Sequence, residues 1–311
     1  MDDSGQPDDR PRHGRARSGF RVVRNLAAVV VIAGGAFLAV GLVSGDPRVA
    51  GLVNIDGGAK PDRARGAAEH PTASAVPRKA GVSGDGASPA VPPPGFEEQD
   101  QPLGQPPEPA SRSTSYKFLA TNADGSPVGY SPCRPLHYVV NAALAPEGGA
   151  DLVNNAIETV SKATGIRFIN DGATTEAPSP SRAPYQKDAY GERWAPLLIA
   201  WTTPEQAPQL KGPVIGTGGS THFSFGDGPK SFVTGSLELD APQIRTDLGR
   251  GDGSAYATAV ILHELGHVMG LEHVDDPTQL MYPEIGAPDG LAAGDLNGLH
   301  ELARAQCRKD L

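Results

Sequence analysis

The chain has 311 residues, a formal net charge of −9, 30 prolines and 39 glycines, but only two cysteines. That length allows two ordinary domains, yet the crowding of prolines between Asp46 and Ala110 divides it into one globular part and a long tail. From Tyr116 onward 14 Lys and Arg face 23 Asp and Glu with no basic stripe, which makes nucleic acid a poor candidate partner.

Residues 1–25 form a basic tail carrying Arg10, Arg12, Arg15, Arg17, Arg21 and Arg24. They precede an uninterrupted run, residues 26–43, made only of Ala, Val, Ile, Leu, Phe and Gly. As a helix this run spans about 27 Å, just enough for a hydrocarbon core. Basic residues stay on the cytoplasmic side, so the C-terminal bulk is expected outside the membrane. Segment 26–44 is therefore predicted to be an uncleaved signal-anchor; cleavage near the small residues Ala39 and Gly41, giving a secreted protein, is the alternative. Residues 45–115 are rich in Pro, Gly, Ala and Ser and hold one aromatic, Phe96. So little apolar surface does not offset chain entropy, and the segment reads as a disordered linker.

Order is predicted to resume at Tyr116, so that residues 116–311 make one domain. Leu136-His137-Tyr138-Val139-Val140-Asn141 reads as a strand, with His137 on its surface. Residues 150–164 follow as an amphipathic helix with Leu152, Ala156, Val160 and Ala163 on one face, closed by Gly165. A second strand at 166–169 and a polar loop over 170–196 lead to Leu197-Leu198-Ile199-Ala200-Trp201, a third and central strand. Segments 214–216 and 232–240 complete the sheet, and His222 between them reads as a loop histidine. Cys133 and Cys307 both lie in the part expected outside the membrane, where an even count suggests one disulfide.

The densest chemistry lies at His263-Glu264-Leu265-Gly266-His267-Val268-Met269-Gly270-Leu271-Glu272-His273. Residues 256–262 contain no Pro or Gly, so a helix capped near Ser254 runs through the first two histidines and stacks them one turn apart on one face. Two imidazoles there can share a metal ion, and Glu264 flanks it without having to bind. Gly270 permits the left-handed conformation that ends a helix, and the reversed chain delivers His273 as third ligand. Three ligands and an open position for water are what a catalytic zinc site needs.

This pattern, His-Glu-x-x-His-x-x-Gly-x-x-His, followed by Leu280-Met281-Tyr282-Pro283, resembles the metzincin metallopeptidases and within them the matrixins. The resemblance spans roughly residues 136–303 and implies an α+β zincin-like catalytic domain: a mixed twisted sheet, an active-site helix and a small C-terminal subdomain with a final helix. It implies that Met281 lies in a tight turn beneath the three histidines without coordinating. Gly294-Asp295-Leu296-Asn297 resembles the start of the matrixin final helix, where Asp295 is expected to hydrogen-bond the Met-turn backbone. The acid that usually precedes it, which pairs with the N-terminus freed by activation, is Gly294 here. Matrixin propeptides also carry a cysteine that plugs the zinc; Ser131-Pro132-Cys133-Arg134-Pro135 lacks that motif's order, which favours the disulfide. Both departures put matrixin-style zymogen activation in doubt. A calcium role for Asp240 follows only from the resemblance, since one carboxylate makes no hard-cation cage.

The expected function is zinc-dependent endopeptidase activity on a protein or peptide substrate, by a monomer. His263, His267 and His273 hold one Zn²⁺, and Glu264 is the general base. Glu272, Asp275 and Asp276, beside the third ligand, are expected to cap and solvate the loop rather than to catalyse.

Overall fold

The structure is a computed structural model and describes residue 1, residues 78–79, 90–285 and 290–311. In chain order the strands are β1 (Arg78–Lys79), β2 (Lys117–Phe118), β3 (Leu136–Asn141), β4 (Phe168–Ala173), β5 (Leu197–Thr202), β6 (Gly216–Phe223), β7 (Ser231–Asp240) and β8 (Leu271–Glu272). The helices are α1 (Gly149–Thr164), α2 (Lys187–Tyr190), α3 (Ala241–Leu248), α4 (Gly253–Met269) and α5 (Ala293–Leu302). Six strands form one mixed sheet in the order β1-β6-β7-β5-β3-β4, and β2 pairs with β8 apart from it.

A strand with no polar alternation is stable only when both its faces are covered. Leu197-Leu198-Ile199-Ala200-Trp201-Thr202 is such a strand: β5 is buried throughout and lies between β7 and β3, parallel to both. Leu197, Ile199 and Trp201 join the main core with Leu237 and Leu239 of β7, Leu152, Ala156 and Val160 of α1, and Val260, Ile261 and Leu265 of α4. Leu198 and Ala200 face the other way, against Val139 and Tyr190. Helix α1 ends at Gly165, whose φ of 68° is the left-handed value expected of a closing glycine.

Strand β6 departs from the sequence reading. Residues 216–223 hold Gly216, Gly218 and Gly219, a composition that reads as loop, yet they form an eight-residue strand antiparallel to β7. Helix α4 is the cause: a Cβ on Gly216 would stand 2.8 Å from Glu264 Cγ, and one on Gly218 would collide with the Glu264 carbonyl oxygen. Glycine in a strand marks close backbone approach, and here the approaching element is the motif helix. His222 consequently lies in β6 and is buried, not in a loop. His137 is likewise buried rather than on the surface, with its ring beside Asp171 (2.7 Å) and Glu97 (3.5 Å). The second strand begins at Phe168, because Ile166 is spent filling the core beneath the turn that leaves α1.

The ordered chain also starts earlier than composition suggests. Residues 90–115, part of the predicted linker, lie along the domain as a strap. Few apolar anchors hold it; backbone and ionic contacts do. Gly95 N donates to Leu311 O (2.9 Å), Gln99 N to Cys133 O (2.7 Å) and Leu103 N to Pro132 O (2.9 Å). Glu98 accepts from Ser131 and from Arg308 N, and lies near the Arg134 guanidinium. Cys133 and Cys307 are joined beside this strap, with Cα atoms 5.3 Å apart. The rest of the predicted linker, apart from β1, and the apolar run 26–43 fall outside the described residues. Among the described residues no helix is long and apolar enough to cross a membrane.

Candidate active site

Helix α4 supplies two of the three histidines. Its last turn ends at Gly270 (φ 119°), whose N–H reaches the carbonyls of Gly266 and His267, and the chain reverses there into β8 and His273. Nε2 of His273 lies 3.1 Å from Nε2 of His263 and 3.1 Å from Nε2 of His267. His263 Nδ1 donates to Leu280 O (2.7 Å) and His267 Nδ1 donates to Leu271 O (2.8 Å). These bonds place the ring protons on Nδ1 and turn bare lone pairs inward at Nε2. Burial holds all three rings neutral: His263 well below 6.5, with its two neighbours adding to the effect, His267 at about 4 and His273 at about 3. With the His273 proton on Nδ1 as well, three lone pairs would converge, and a cation between them would relieve their repulsion. Imidazole nitrogens at this separation match the edges of a tetrahedral zinc site with Zn–N of about 2.0 to 2.1 Å. These three form a group that could hold a metal; among the described residues Asp240 belongs to no such group and instead caps α3 by accepting from Gln243 N (3.1 Å).

Glu264 is fully buried beside them, and neither carboxylate oxygen has a hydrogen-bond partner of good geometry among the described residues. Burial pushes its pKa up to about 8; the Gly218 amide acts in the opposite direction and Glu238 adds to the rise. An orphaned buried carboxylate is costly, so its retention next to three inward-facing nitrogens points to a reactant it is placed to meet.

Beneath the histidines runs the turn containing Met281. Asp295 accepts from Leu280 N (2.8 Å), Met281 N (3.2 Å) and Ala292 N (2.8 Å), tying that turn to the start of α5. Met281 Sδ packs under α4 at Gly266, 2.5 Å from where a Cβ would stand. Glu272 Oε1 accepts from His273 N (2.8 Å), and Asp276 accepts from Thr278 N (3.0 Å), so these acids serve the loop as expected.

A family profile described as matrixin matches residues 201–303, which include the α4 motif, His273, Met281 and Asp295. Over these residues the chain is similar to the matrixin metallopeptidases. It is 38% identical over 103 residues to matrilysin of Felis catus, covering 31% of this chain and 38% of that one. It is 34% identical over 91 residues to macrophage metalloelastase of Oryctolagus cuniculus, covering 28% of this chain and 18% of that one. The chain thus spans well under half the length of these relatives. Among solved structures, the GM1-bound form of the ECX AB5 holotoxin aligns at a TM-score of 0.37 and 11% identity, over 64% of this chain and 92% of that one, too low a score to carry an argument.

Several parts of this matrixin-like site have no side-chain signature. The acceptors that orient His263 and His267 are backbone carbonyls, and Gly218, Gly266 and Gly294 act through the side chain they lack. Gln279 was also missed: its Oε1 accepts from Gly294 N (2.6 Å), bracing the Met281 turn against α5. Its place immediately before Leu280-Met281 was the available signal.

Proposed function

We propose that the protein is a zinc-dependent endopeptidase, with His263, His267 and His273 as metal ligands and Glu264 as general base. The observation that carries this reading is the convergence of three neutral imidazoles, two of them oriented by backbone carbonyls, beside a buried carboxylate that has no hydrogen-bond partner of good geometry among the described residues. Three imidazoles with room for a fourth ligand suit zinc among the divalent metals. A zinc ion held by these three rings would supply a water with its pKa lowered to about 7 and Lewis-acid polarisation of a peptide carbonyl. Glu264 takes the proton of the attacking water on its carboxylate and returns it to the leaving amine. Burial raises the basicity of the Glu264 carboxylate in the metal-free protein, and a cation held by the three histidines would keep it ionised and able to accept a proton.

The substrate is read as an extended peptide. Strand β6 borders the site through Gly216 and Gly218, and beyond Thr221–His222, which pair with β1, its outer edge carries no strand among the described residues. An exposed edge takes a peptide by backbone pairing. Of the segments 214–216 and 232–240, the first is the one this reading takes as the cleft border, because β7 is interior to the sheet and β6, which begins at Gly216, lies beside Glu264.

The basic tail and apolar run support a single-pass anchor with the catalytic part outside the membrane, secretion after cleavage being the alternative. The protein is taken to act as a monomer. The deciding experiment is cleavage-site profiling of the purified protein on a peptide mixture, with and without a chelator and with Glu264→Ala beside the parent. Chelator-sensitive cuts that vanish in the variant are expected; cleavage that survives both treatments sinks the mechanism.

A further inference from the structure

His263 and His267 are fixed by a helix, but His273 hangs on a loop whose only regular structure is the two-residue β8. The Glu272 carboxylate holds its N–H and Val274 N donates to Met281 O (3.0 Å); further contacts on the segment come from upstream in the chain. We propose that residues 115–119 are a positioning element for His273, and that the metal affinity of the three-histidine site depends on their being docked. This rests on the zinc reading above.

Contacts from this short stretch bracket the third ligand. Before it, Lys117 and Phe118 pair antiparallel with Glu272 and Leu271, and Leu119 N donates to Gly270 O (2.9 Å). After it, the Ser115 hydroxyl bonds the Asp276 carboxylate, which also fixes Thr278 and Gln279. Lys117 Nζ reaches Asp275 (3.3 Å) as well, but that pair is too exposed to matter much. The chain is thus clamped from residue 270 to residue 276 by Ser115, Lys117, Phe118 and Leu119, which continue the strap beyond residue 115.

A second, independent observation lies on α5. Gly294 and Gly298 stand one turn apart on one face of this helix, although glycine is unfavourable in a helix. A Cβ on Gly294 would collide with the Ser115 carbonyl oxygen, and one on Gly298 would stand 2.9 Å from Tyr116 Cβ and 2.6 Å from Leu271 Cδ2. Both glycines are spent on letting the strap pass between α5 and the loop of His273. Asn297 Nδ2 holds Ser111 O (2.8 Å) and His300 Nδ1 holds Pro107 O (3.1 Å), which extends the same seam upstream. The missing acid at position 294 has a physical reason here: the continuing chain occupies its place.

The strap therefore belongs to the metal-binding unit although it lies outside the matrixin match at residues 201–303. The test uses the full chain carrying Leu119→Pro, which removes the donor to Gly270, or Gly294→Ala, which crowds both the Ser115 carbonyl and Gln279 Oε1, with Gln279→Ala beside it to report the second contact alone. Gly251→Ala, at a position with nothing within 4 Å, is the control. Zinc affinity is measured by chelator competition, alongside the Tm of each metal-free protein and the absorption bands of its Co²⁺ form. Both strap variants should bind zinc about tenfold or more weakly, as loss of groups that orient a ligand does, with altered Co²⁺ bands and an unchanged control. Strap variants whose metal-free Tm drops while zinc affinity and Co²⁺ bands match the parent overturn the proposal. Should Leu119→Pro not fold, Gly294→Ala and Ser115→Ala decide by the same criteria. A parent that retains no zinc defeats the function proposed above; a parent that binds zinc no better than Gly294→Ala defeats only this inference.

Discussion

Met281 occupies the space that Gly266 leaves empty: its sulfur lies 2.5 Å from where a Cβ on that glycine would stand, beneath the helix that carries His263 and His267. Met281 is itself buried and has nowhere to retreat. Gly266→Ala gains about 1 kcal/mol of helix propensity, but overpacking at a filled site costs about 1 to 3 kcal/mol. The clash should dominate, lowering the Tm of the metal-free protein and shifting the Met281 turn. A Tm equal to or above the parent's would show that the turn yields freely and that Met281 is not a fixed floor.

Asp295 offers a sharper measurement, because one carboxylate accepts three backbone N–H groups. Asp295→Ala strands the buried amides of Leu280 and Met281 and the half-buried amide of Ala292. Losing these bonds should cost about 3 kcal/mol in a urea titration, whereas Asp295→Asn, which keeps one acceptor oxygen, should cost less. Equal losses for the two variants would mean that packing, not amide capture, is the role of this residue.

Much of this was legible in the letters. The three histidines, Glu264, Met281 and Asp295 sit at fixed spacings on a helix, a turn and a second helix start, and periodicity carries such information well. The buried run 197–202 announced a central strand for the same reason. What was not legible acts through backbone or absence. Gly216 and Gly218 make β6 a strand only because α4 lies against it, and no local signal separates that from a loop. The strap at 90–115 is held by main-chain donors and by Glu98, so a composition argument based on apolar content passes over it. His137 looked like a surface residue because the Asp171 and Glu97 that cover it are distant in sequence.

The histidine cluster makes the metal-free protein acid-sensitive. Burial depresses His267 to about 4 and His273 to about 3, with His263 also well below its ordinary value. In the unfolded chain these rings titrate near 6.5, so between that value and the folded ones the unfolded state binds more protons. Stability is therefore fully present above about pH 6.5 and lost as pH falls toward about 4. Thermal unfolding of the metal-free protein between pH 7 and pH 5 should show a falling Tm, and replacing His267 and His273 by Gln should flatten it. An unchanged slope in that double variant would assign the acid sensitivity elsewhere.

Glu264 has the opposite sign, which gives it a signature separate from catalysis. Its folded pKa of about 8 exceeds the unfolded value near 4.5, so the native state holds the extra proton between them and loses that stabilisation as pH rises through about 8. Glu264→Gln keeps the shape and can never ionise. In the metal-free protein this variant should therefore match the parent near pH 5 and exceed it in Tm by a margin that grows toward pH 8. The same substitution removes the proton acceptor, so peptide cleavage by the zinc-loaded protein should fall roughly a hundred- to ten-thousand-fold. The two readouts move in opposite directions for one reason: the site keeps a carboxylate where folding alone would prefer a neutral group. A variant that loses activity with no gain in alkaline Tm would show that Glu264 is not held in the buried, unpartnered state that qualifies it as the base.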